Sequence, residues 1–80
     1  MIRHLELSID ELRKKIRNGE IRFGGNNKIK IFGKLDCSSG KRMKKDNRVF
    51  FNSKQEAIQF GFRPCGHCMR KEYLDWKKAN

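Results

Sequence analysis

The segment Gly61-Phe62-Arg63-Pro64-Cys65-Gly66-His67-Cys68 constrains this chain most, because two cysteines three positions apart on a tight turn can both face one ion. A third, Cys37, completes a partial set of soft donors. Such donors favour Zn²⁺, which takes tetrahedral sulfur and nitrogen coordination. The length is consistent with that need: 80 residues that are 36% hydrophobic bury only a modest core, and domains of this size often require a staple such as a metal. The expectation is one domain, residues 1–80, built around a metal. The three cysteines are an odd number, no secretory signal leads the chain, and no apolar run reaches the roughly 20 residues of a membrane span. A reduced, cytoplasmic setting is expected, with no membrane partner. There a Cys-x-x-Cys pair reads as metal-binding or redox rather than as a disulfide.

The formal net charge is +11. Self-repulsion at that charge opposes compaction but speeds encounter with polyanions, so nucleic acid is the first candidate partner. An acidic protein, or a basic surface that is merely solvated, is the alternative.

Ser8 and Glu11 stand in capping-box relation, Ile9, Leu12 and Ile16 recur with helical spacing, and Gly19 follows as a stop, predicting a helix over 8–18. Ile21 and Phe23 alternate with charged residues before Gly24-Gly25-Asn26-Asn27, and Ile29 and Ile31 alternate with Lys28 and Lys30 after it. That pattern predicts a β-hairpin turning at 24–27. A further strand is expected at Arg48-Val49-Phe50-Phe51, after a basic connection over 36–46 too long for a simple turn. Ser53 and Glu56 form a second capping box, opening a short helix that ends at Gly61. A last helix over about 68–78 groups Met69, Tyr73 and Trp76, expected as filler packed on the sheet. The fold class is α+β: a small zinc-stabilised domain with a short antiparallel sheet flanked by helices.

Asn47-Arg48-Val49-Phe50-Phe51, then Ser53 with Glu56-Ala57, then Gly61-Phe62-Arg63-Pro64-Cys65-x-x-Cys68 resembles the zinc-binding N-terminal domain of the Ada family, which takes methyl groups from DNA phosphotriesters. The resemblance spans about residues 28–76. It implies an α+β fold, one Zn²⁺ held by cysteines, and a part in DNA repair. Domains of that family carry Cys-x-x-x-Cys before the Asn-Val strand, one of the two being the methyl-accepting thiolate. This chain has a single cysteine there. Counted from Val49, Cys37 matches the second of the pair and the acceptor's place falls near Gly33; counted the other way, Cys37 is the acceptor and Lys41 replaces its partner.

Zinc holds sulfur as thiolate, the nucleophilic form, and an all-sulfur site leaves it more negative and more reactive toward an alkyl group. A site of three sulfurs and a neutral nitrogen carries less negative charge, and methyl transfer would consume a ligand the chain has no cysteine to replace. The expectation is a mainly structural site with ligands Cys37, Cys65, Cys68 and His4, the alternatives for the fourth being His67, Asp36 or water. His67 lies inside the cysteine turn, where backbone N–H groups bond the sulfurs and the side chain points away. Lys41, Arg42, Lys44, Lys45, Arg48 and Arg63, with Ser38, Ser39 and Gly40, are the candidate phosphate contacts. The alternatives are a methyl acceptor using Cys37 and a metal-bound adaptor for an acidic protein. The GxxxxGK[ST] pattern of nucleotide hydrolysis is missing, and the Cys-x-x-Cys pair follows Arg-Pro at a helix end, not the helix start used by redox pairs.

Overall fold

A five-stranded sheet organises the chain, with the strand order β1-β4-β2-β3-β5. The computed structural model describes residues 1–37 and 43–79. In chain order the elements are β1 (Ile2–Arg3), α1 (Ile9–Arg17), β2 (Phe23–Asn26), β3 (Ile31–Lys34), β4 (Arg48–Phe51), α2 (Lys54–Gln59), β5 (Arg63–Pro64) and α3 (Arg70–Ala79). Neighbouring strands are antiparallel except β3 with β5. The expected α+β class is what is found.

The starts of α1 and α2 are set by serines. At α1 the full capping box forms: the Glu11 N–H donates to Ser8 Oγ at 3.2 Å and the Ser8 N–H to Glu11 Oε1 at 3.1 Å. At α2 the Glu56 N–H donates to Ser53 Oγ, but the Glu56 carboxylate accepts from the Asn52 N–H at 2.9 Å, one residue earlier than a strict box. Gly61, at a φ of +85°, closes α2 in the left-handed region that glycine enters without a Cβ penalty.

The hairpin turn differs from expectation. Gly24, Gly25 and Asn26 belong to β2, and the turn lies between Asn26 and Ile31. Asn26 Oδ1 accepts the N–H groups of Lys28 and Ile29, an Asx turn, and Lys30 takes the positive φ of 58°. Tertiary packing explains the shift. A Cβ on Gly25 would come within 3.0 Å of Phe51 and 3.1 Å of Phe62, so a strand without side chains is what lets those rings close over it.

Side chains alternate across the sheet. Phe32, Val49 and Phe51 face the helices and join Ala57, Phe62 and Met69 in one core. The Phe51 and Phe62 rings meet edge to face at 4.8 Å between centroids. Full burial of one such side chain is worth about 1.5–3 kcal/mol, so the phenylalanines carry much of the fold. The last helix departs from expectation in part: Met69 is core, whereas Tyr73 and Trp76 are half-buried and stack on each other. On the opposite sheet face Gly24 pairs with both Gly33 and Phe50.

Candidate metal centre

Two loops bring the three cysteines together. Cys37 leaves β3 in a turn closed by its own N–H to the Lys34 carbonyl at 3.1 Å. Cys65 follows β5 and donates its N–H to the Phe32 carbonyl at 2.7 Å, which ties the cysteine turn to the central sheet. Cys68 precedes α3, and the Met69 N–H closes the turn on the Cys65 carbonyl at 3.0 Å. The three sulfurs lie within 4.8 Å of one another.

Backbone donors point at them. The Lys34 N–H reaches Cys68 Sγ and the His67 N–H reaches Cys65 Sγ, each at 3.4 Å. Such bonds favour sulfur as an acceptor, the role of a thiolate. Burial, with Cys37 and Cys65 alongside, pushes the Cys68 thiol up to about 11 despite the Lys34 N–H. A divalent cation among the sulfurs reverses that balance, because coordinated thiols are deprotonated. Zinc bonds to sulfur of about 2.3 Å put tetrahedral sulfurs about 3.8 Å apart, so the cluster needs only a small contraction. The donor set therefore fits Zn²⁺.

Among the described residues no histidine or carboxylate joins this cluster. His4 sits just after β1, at the sheet edge opposite β5, with β4, β2 and β3 between them. At about 4.8 Å per strand, the two edges are about 19 Å apart. His4 packs instead on Phe50, ring to ring at 5.2 Å. Its Nδ1 is buried without a hydrogen bond, and burial, then Arg48 and Lys45, hold the ring below its usual pKa. His67 is exposed and takes part through its backbone. Asp36 is also exposed and outside the cluster.

The basic residues divide. Lys44 and Lys45 are exposed beside a short 3-10 turn entering β4. Arg48 is half-buried, its guanidinium 5.5 Å from the Phe50 ring centroid. Arg63 lies 5.1 Å from the Tyr73 ring centroid and donates to the Pro64 carbonyl, bracing the cysteine turn against α3. Ser38, Ser39, Gly40, Lys41 and Arg42 lie outside the described residues. Lys34, not singled out from sequence, borders a cavity of about 260 Å³ together with Arg48, Cys37 and Cys65. Alternation along β3 gave no hint of it, since the cavity exists only once β3, the cysteine turn and the β3–β4 connection meet.

Gly33 is where the first of the two countings puts the acceptor's place. A Cβ built on it lies 2.7 Å from Cys68 Sγ and 3.2 Å from Cys65 Cβ, so position 33 is the place on β3 that faces the sulfurs. The four-residue step from Gly33 to Cys37 reproduces Cys-x-x-x-Cys with its first member replaced.

Fold and site together define a small α+β module whose three clustered cysteines fit zinc. The family model described as the metal binding domain of Ada matches residues 14–70, from within α1 to the first residue of α3, and the chain belongs to that family. No curated protein and no solved structure gives a significant match. No helix among the described residues is long and apolar enough to cross a membrane.

Proposed function

We propose that this chain is a nucleic-acid-binding module whose zinc, held by Cys37, Cys65 and Cys68, is structural. The observation that carries the reading is the placement of Arg48 on the same cavity as Cys37 and Cys65, which joins positive charge to the metal site. Lys44 and Lys45 extend that charge along the entry to β4, and Lys41 and Arg42 add to it in sequence. DNA is the preferred polyanion, by analogy with the family's repair role. Bound zinc would supply rigidity, fixing the β3 exit to the cysteine turn, while the cations meet phosphate oxygens without reading bases.

Methyl acceptance is disfavoured on this reading because glycine stands where the family carries its acceptor cysteine. Anisotropy of labelled duplex DNA across a salt series tests the binding. A falling line of log K against log[salt] is expected, and replacing Lys44 and Lys45 by alanine should lower its slope by about 2, near 0.9 per phosphate contact. A flat line would defeat nucleic-acid binding and favour an acidic protein partner. Mass spectrometry after exposure to methylphosphotriester DNA should show no added methyl group; one methyl on Cys37 would overturn the structural assignment.

A further inference from the structure

Three sulfurs leave one corner of a tetrahedral ion without a donor from the described residues. Residues 38–42 and 80, which read Ser-Ser-Gly-Lys-Arg and Asn, add no cysteine, histidine or acidic side chain. The strand position that faces the sulfurs is Gly33, which offers no side chain at all. Its cross-strand partner is Gly24, so two side chains are missing side by side on this sheet face. Above them lies the cavity of about 260 Å³, with Cys37 and Cys65 in its wall, apolar surface from Ile29, Ile31 and Met43, and the cation of Arg48. Closed structural zinc sites have four protein ligands, whereas a site with three keeps a position for an exogenous one.

We propose that the fourth coordination position, beside Gly33 and Gly24 and open to this cavity, takes a small-molecule thiol, bound as thiolate with its hydrocarbon tail in the cavity. The inference rests on the three cysteines holding the metal. A soft sulfur donor matches the other three, the apolar walls suit an alkyl tail, and Arg48 offsets part of the anionic charge that a fourth thiolate brings. One sulfur–metal bond would form in place of the metal–water bond, the thiol S–H breaking with its proton passing to solvent and the water leaving, and no oxidation state changes.

The test uses the full chain loaded with Co²⁺ in thiol-free buffer, with cobalt per chain counted first and ethanethiol then titrated in, ethanol serving as control. Sulfur-to-metal absorption should rise by about one third, the step from three thiolates to four, with one proton released per chain. Gly24→Val should still take up one cobalt yet bind ethanethiol at least about tenfold more weakly, because the nearest contact of a Cβ there is an ordinary 3.7 Å and a larger side chain grows into the cavity. Met43→Trp, filling the cavity from the loop side, is a second variant should the first not fold. One bound cobalt with an absorption indifferent to ethanethiol, or an equal response in the cavity-filled variant, overturns this inference and leaves the metal site standing. A chain that takes up no cobalt overturns both.

Discussion

Adjacent glycines in β2 should respond to the same substitution with opposite signs. A Cβ on Gly25 would lie 3.0 Å from Phe51 Cε2 and 3.1 and 3.2 Å from two carbons of Phe62. Favourable carbon contacts begin near about 3.5 Å, so three contacts are compressed at once. The rings cannot retreat, because both are almost wholly buried in the core. Overpacking of this kind costs about 1–3 kcal/mol, reduced by about 0.4–1 kcal/mol from the lower chain entropy of alanine in the unfolded state. Gly25→Ala should therefore lose about 1–2 kcal/mol. Gly24→Ala points to the other face, where its contacts are 3.7 Å or longer, and should gain about 0.4–1 kcal/mol. The difference, about 2 kcal/mol, corresponds to roughly 10 °C in Tm for a domain of this length. Thermal unfolding followed by far-UV circular dichroism at one fixed zinc concentration measures both. Equal shifts, or a stable Gly25→Ala, would refute the close approach of Phe51 and Phe62 to the strand.

Two further outcomes follow from single side chains. Asn52 Nδ2 donates to the carbonyls of Gly19 and Glu20, both at 3.2 Å, joining the exit of α1 to the start of α2; Asn52→Ala should cost about 1 kcal/mol, read as a lower urea midpoint with an unchanged slope. His4 is held below its usual pKa by burial, Arg48 and Lys45, so the unfolded chain takes up its proton first. The stability that neutral His4 allows is then intact above about pH 6.5 and lost as pH falls from there through the lower folded value. His4→Phe should reduce the fall in Tm between pH 7.5 and 5, measured against the parent chain at the same zinc concentration; an identical fall would show that the ring titrates normally.

What the sequence made legible was mostly local. Ser8 with Glu11, and Ser53 ahead of Glu56, announced the starts of α1 and α2 because a cap is satisfied within one turn of the chain. The strand Arg48–Phe51 was visible from its run of apolar residues. The hairpin turn was displaced because Gly24 and Gly25 read as turn residues, whereas their lack of side chains serves packing on two sides of one strand. Nothing nearby in sequence carries that information. The parallel edge strand Arg63–Pro64 is two residues long and has no periodicity to detect. It nevertheless fixes the cysteine turn beside β3. The cysteines were legible as donors from their type and spacing, but the separation of His4 from them follows from strand order, which places β1 and β5 at opposite edges. Gly33 gained meaning only from the direction of its absent side chain.

Thermal unfolding of the purified chain with and without a metal chelator, with zinc counted in the starting material, bears most directly on the role of the metal. Ligand cysteines gathered from residues 37, 65 and 68 make binding free energy part of folding free energy. One zinc per chain and a cooperative transition that disappears on chelation are the expected result. A metal-free chain that melts cooperatively, at the same temperature with chelator as without it, would contradict the account.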